Sequence, residues 1–271
     1  METVKTIVKA QIFNYFMGGF GYQIEESKNF VDILIRKVLY RGTKKLPDGK
    51  KIPELQNRLP GGCCHPKDIL NSVTELCQKT IESSQMDIMD GKNRLQGMQK
   101  ELEVLFCFFT EDLKKAPKNK QDEIIYKYNY NSEKIVFKWL QANDISAVEE
   151  LPPLGREIFE LSKLKTLKRE IEMETGCNYE KAIETNIKLK CRDGHQRFWL
   201  LLKNLNGPDV FIGSADSDIE RSEWVSLNIF KEIIWKGHSI QLEQLLSALC
   251  LKFLGEKRIR LAKIINAEID A

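Results

Sequence analysis

Apolar residues recur at helical spacing along most of the chain. Residues 4 to 16 place Val4, Ile7, Val8, Ile12, Phe13 and Phe16 on one face, which predicts an amphipathic helix stopped by Gly18-Gly19-Phe20-Gly21. Residues 28 to 40 predict a second helix, with Phe30, Ile33, Leu34, Val38 and Leu39 turned inward. From Gly42 to Pro66 the period fails and an irregular stretch is expected. Pro47-Asp48-Gly49 marks a turn there, because proline presets φ and glycine supplies φ > 0.

Residues 66 to 115 carry the strongest pattern. Pro66 suits a first helical position, and Asp68 in the first turn favours the helix dipole. A heptad has a-positions Thr74, Ile81, Ile88, Leu95, Leu102 and Phe109, and d-positions Leu70, Cys77, Ser84, Gly91, Met98 and Leu105. Unbroken, fifty residues would span roughly 75 Å. Gly91 at a d-position favours a break near Asp90-Gly91 and a helical hairpin, against the alternative of one long helix that pairs with another copy. In either form Ile88, Leu95, Met98, Leu102, Leu105 and Phe109 are the expected seam for self-association or a helical partner protein.

Lys114 to Gln121, polar and broken by Pro117, reads as a linker between a helical domain (1–116) and a mixed domain (122–271). Helices are expected over 122 to 142 and from Leu154 to Glu174, with Thr175-Gly176 as the stop. The period then changes. Ile187, Leu189 and Cys191 alternate with Lys188, Lys190 and Arg192, Asp193-Gly194 supplies a hairpin turn, and Phe198 to Leu201 form the return. Val210 to Ile212 and Val225 to Phe230 suit short strands, and residues 239 to 269 a closing helix capped by Ser239. The expected fold class is α+β: mainly α, with a small antiparallel β element in the C-terminal half.

Composition narrows the functional classes. The 271 residues are 42% hydrophobic and 30% charged, which suits a globular core. Forty-two Lys and Arg against 39 Asp and Glu leave a net charge of only +3, so any phosphate binding must rest on local clusters. No apolar run approaches the roughly 18 residues that a membrane span needs. Met1-Glu2-Thr3-Val4-Lys5 lacks the charged and apolar regions of a signal peptide. The seven cysteines are odd in number and scattered through apolar segments, the pattern of free thiols. A cytoplasmic protein is expected, with a nuclear one as the alternative.

Two clusters attract phosphate. Arg36, Lys37, Arg41, Lys44, Lys45, Lys50 and Lys51 surround Tyr40 with Asp48 as the sole acid between 36 and 51, from the end of the second expected helix into the irregular loop stretch after it. Lys188, Lys190, Arg192 and Arg197 flank the Asp193-Gly194 turn beside Phe198 and Trp199, where bases can stack. Other candidates are thinner. Arg58 and His65 are separated by Pro60-Gly61-Gly62, which forbids a helical Arg/His pair. Cys63-Cys64-His65 offers thiolates that point apart and lacks a fourth ligand. Gly18-Gly19-Phe20-Gly21 has no lysine or preceding strand and is not a phosphate loop. Ser217-Asp218-Ile219-Glu220 resembles the Asp-x-Asp signature of nucleotidyltransferases, although Gly213-Ser214 lies closer to it than that family's Gly-Ser turn. That resemblance implies a divalent cation on Asp216, Asp218 and Glu220.

The expected function is therefore non-enzymatic binding: helix-mediated association and contact with RNA or DNA, without a cofactor. The alternatives are a metal-dependent phosphoryl- or nucleotidyl-transfer enzyme at residues 216 to 220 and a pure protein–protein adaptor.

Overall fold

Strands, not helices, follow the N-terminal segment. The computed structural model describes residues 12–25, 30–45, 50–82, 89–142, 145, 147–190, 196–212, 219–234 and 236–270. Strands β1 (Tyr15–Glu25), β2 (Phe30–Lys45), β3 (Lys51–Arg58) and β4 (Gly61–Cys63) come first. Helices α1 (Pro66–Glu82), α2 (Met89–Lys115), α3 (Gln121–Leu140) and α4 (Pro153–Thr175) follow. Strands β5 (Asn178–Lys190), β6 (Gln196–Asn206), β7 (Val210–Ile212) and β8 (Ile219–Ser226) complete the sheet. Helices α5 (Leu227–Ile233), α6 (Lys236–Gly255) and α7 (Ile259–Asp270) close the chain's described part. Among the described residues no helix is long and apolar enough to cross a membrane.

The sheet order is β5-β6-β1-β2-β8-β7, with β3 also on β2 and β4 on β1. This overturns the expected fold class. The sheet is not a small C-terminal element: it draws four of its eight strands from the chain before α1, so helix and sheet are both major parts of the structure. Residues 30 to 45 are β2, the hub, antiparallel to β1, β3 and β8. The reason lies in Phe30-Val31-Asp32-Ile33-Leu34-Ile35, a segment rich in apolar and β-branched residues and interrupted by Asp32. Such a run satisfies both helical and strand periods, and a strand hydrogen-bonded on both edges uses it best. The expected connector Gly18-Gly19-Phe20-Gly21 lies inside β1, where Phe20 is fully buried.

The chain divides into two compact units. The first is made of the described parts of 1–16, 63–166 and 190–196, and the expected linker at 114 to 121 falls inside it. Helices α1 and α2 pack on each other and on α3, so the 66-to-115 pattern resolves into a hairpin whose second helix starts at Met89, just before Asp90-Gly91. Ile69, Val73, Leu76, Val136 and Ile158 fill its core.

The second unit holds the described parts of 17–62, 167–189 and 197–271. Trp199 and Phe20 anchor its core, and α6 packs on α7. The single closing helix expected over 239 to 269 is two helices, because the chain turns after Gly255 with Lys257 at φ 59°. Gly61, at φ 146°, takes a conformation that glycine alone adopts easily, and its N–H donates to Glu174 Oε2 at 2.7 Å.

Candidate functional site

The basic residues expected on a loop stand on paired strands. β2 meets β1 over Phe30 to Ile33 and β8 from Asp32 to Val38. From Leu39 to Lys45, its register among the described residues is with β3 alone. The end of β2 and the start of β3 thus form a two-stranded ribbon that runs past the other strands' registers. Between Tyr40↔Glu54 and Thr43↔Pro53 the ladder shifts, leaving Arg41 and Gly42 as a bulge. This bulge absorbs the glycine that reads as loop in the sequence, and Pro53 is tolerated because β3 has no further ladder to serve there.

Register concentrates positive charge. Arg36 stands opposite Arg58 and Lys45 opposite Lys51 across the β2–β3 ladder. Lys37 stands opposite Arg221 across the β2–β8 ladder. Lys44 faces Ile52, and Lys50 is exposed just before β3. Directly opposed like charges destabilise a ladder. Arg58 Nε donates to Gln56 Oε1 at 2.9 Å, and Arg221 pairs with Glu223 at 3.1 Å, which softens this. Of the second cluster, Lys188 and Lys190 end β5 and Arg197 is half-buried on β6, its neighbour in the sheet. Arg192 and the Asp193-Gly194 turn lie outside the described residues.

The heptad residues have a different role from the expected one. Leu95, Met98, Leu102 and Phe109 are buried within this chain, and Leu105 is half-buried. The Phe109 ring meets His65 at 4.7 Å and Tyr128 at 5.3 Å, both edge-on. Ile88 lies outside the described residues. So do Asp216 and Asp218, while Glu220 is exposed on β8.

Cys63, the last residue of β4, is exposed, and Cys64, just after it, is buried. Among the described residues no group of three or more His, Cys, Asp or Glu is placed to hold a metal.

Sequence reasoning missed a polar core in the helical unit. His65 caps α1: its Nδ1 accepts from Lys67 N–H at 3.3 Å, while Asp68 Oδ2 accepts from His65 N–H at 2.9 Å. Asp68 supplies the reciprocal half of a capping box, while the His65 ring caps the second helical N–H. Asp68 is 2% exposed and also accepts from Thr166 Oγ1 at 3.0 Å. Thr166 meets Tyr15 Oη at 3.3 Å, and burial with the Cys64 thiol alongside pushes the Tyr15 phenol well above its ordinary value. Asp68 in a first turn was the visible signal, but it showed only the cap and not its partner on α4.

Beside this network Asn129, Glu133 and the α3 tyrosines open onto a cavity of about 330 Å³. Compared with protein-family models, curated proteins and solved structures, the chain matches none.

Proposed function

We propose that this is a non-enzymatic binding protein that contacts RNA or DNA through the β2–β3 ribbon, with Lys188 and Arg197 as a second contact. The observation that carries the reading is the cation-on-cation register: Arg36↔Arg58, Lys45↔Lys51 and Lys37↔Arg221. A ladder that opposes like charges gives up stability on its own, and a polyanion lying along it turns that cost into binding energy. A two-stranded ribbon also has the width that the DNA major groove admits. Association through the heptad is left out of the proposal, because Leu95, Met98, Leu102 and Phe109 pack within the chain. The described cysteines are free thiols, which suits the cytoplasm as the place of action.

The test compares two charge reversals. Lys44, Lys45, Lys50 and Lys51 are changed to Glu in one variant. Lys114, Lys115, Lys118 and Lys120, exposed in the helical unit, are changed to Glu in the other. Fluorescence anisotropy with labelled duplex DNA and single-stranded RNA should show binding lost in the first and retained in the second, with circular dichroism unchanged in both. Equal losses would mean diffuse attraction and would contradict a ribbon site.

A further inference from the structure

The turn that joins α6 to α7 carries apolar side chains on its outside. Leu251, Leu254 and Ile259 are 69%, 45% and 49% exposed. Leu251 and Leu254, three residues apart, are neighbours on the last turns of α6, and Ile259 opens α7. Between them Gly255 leaves the surface open, since a side chain there would meet no atom within 4 Å. The core face of α6 is a separate one, where Leu242, Leu245, Leu246, Leu249 and Phe253 are buried. The outer leucines therefore take no part in holding the helix down.

Charge at the same tip is one-sided. From Lys252 to Lys263 the chain has five cations (Lys252, Lys257, Arg258, Arg260 and Lys263) and one acid, Glu256, in a protein whose cations and acids nearly balance. Lys257, Arg260 and Lys263 are exposed. Lys252 donates to Glu256 at 2.6 Å. That bond, with the charges of Lys203 and Arg258 beyond it, holds the Glu256 carboxyl below the ordinary glutamate value. The single acid is thus engaged, and the tip presents positive charge around an apolar surface.

One kind of surface satisfies both features. At a bilayer interface, leucine and isoleucine enter the acyl boundary while Lys and Arg stay among anionic headgroups. Nucleic-acid phosphates would satisfy the cations and leave the three apolar side chains in water. We propose that the α6–α7 tip docks on an anionic lipid surface, with Leu251, Leu254 and Ile259 in the interface and Lys257, Arg260 and Lys263 among the headgroups. The contact lies on the membrane and needs no spanning segment. It does not depend on the β2–β3 ribbon.

Co-sedimentation of the full chain with vesicles tests the site. Vesicles of phosphatidylcholine with about 30% phosphatidylserine should bind it at least about tenfold more tightly than phosphatidylcholine alone. Leu251→Gln with Leu254→Gln keeps the charge and the helix, and should weaken binding at least about tenfold with circular dichroism unchanged. Lys257→Gln with Arg260→Gln should weaken it by roughly 25-fold, at about fivefold per cation. Should the leucine pair disturb α6, Ile259→Gln alone should still weaken binding severalfold. The ribbon variant, with Lys44, Lys45, Lys50 and Lys51 changed to Glu, should keep vesicle binding. Absence of binding to the anionic vesicles at low salt overturns the proposal, and so does equal binding to phosphatidylcholine alone. Binding that the apolar substitutions leave unchanged would mean attraction by charge without insertion, and also overturns it. If Lys257→Gln with Arg260→Gln weakens RNA binding and leaves vesicle binding intact, the tip is a nucleic-acid contact and the proposal falls.

Discussion

A methyl group at position 18 would stand 2.2 Å from the Trp199 ring. Gly18 is therefore required by close packing inside a strand, not by a turn, and this one residue explains why the glycine run of β1 misleads a reader of the sequence. Gly18→Ala should cost about 1–3 kcal/mol through overpacking, measured as a lower urea midpoint at unchanged slope. A cost near zero would contradict the packing of Trp199 on β1. Glu75 makes a second residue-scale case. Hydrogen bonds from Lys165, on α4, and from Lys79 hold its carboxyl below the ordinary glutamate value. A group with a depressed folded pKa stabilises the fold above its unfolded value, and that contribution fades as pH falls through the folded value. Glu75 is partly exposed, so Glu75→Gln should cost only about 0.5–1 kcal/mol at pH 7. The difference from the unmodified protein should close at acid pH, once the pH has fallen through the carboxyl's lowered folded value. Denaturation curves at both pH values check this, and a gap that persists at low pH would contradict the ion pair.

Among the elements, α3 and α4 were legible almost to their ends, because each has clear punctuation: Pro117 before α3, and Gly176, at φ 66°, after α4. The α1–α2 hairpin was legible in outline, since the expected break near Asp90-Gly91 falls at the start of α2 at Met89. The N-terminal strands were not legible. A hub strand with partners on both edges reads as a continuous apolar run, and the partners that decide between helix and strand lie far along the chain: β2 pairs with β8 across more than half of the sequence. The candidate site shared that fate. Its basic residues were visible, but the cation-on-cation register appears only once β2, β3 and β8 are aligned. The polar core was hidden for the same reason, as Asp68 and Thr166 are 98 residues apart.

The heptad gives the sharpest element-scale prediction. Leu95 and Leu102 are each 2% exposed. Leu95→Asp with Leu102→Asp should therefore unfold the helical unit, with a loss on the order of 3–5 kcal/mol or more, seen as lost helical circular dichroism. A well-folded, soluble variant that differs only in oligomeric state would contradict the burial and restore the seam as an interface. The exposed apolar residues of α2, Val104 and Phe108, stand outside the heptad's a and d positions.

At the scale of the molecule, the near-balance of charge is the informative quantity. A net charge of +3 over 271 residues gives no general attraction for nucleic acid, so the account stands on where the cations are placed. The ribbon's cations belong to the unit of residues 17–62, 167–189 and 197–271. The central claim is that the ribbon's lysines neutralise phosphates, and the salt dependence of binding measures this directly. For the unmodified protein, log K should fall linearly with log salt, by about 0.7 to 0.9 per phosphate neutralised. Changing Lys44, Lys45, Lys50 and Lys51 to Gln should lower that slope by about 1 for each lysine in contact. A slope identical in both proteins, or no binding by the unmodified protein at low salt, would contradict the account.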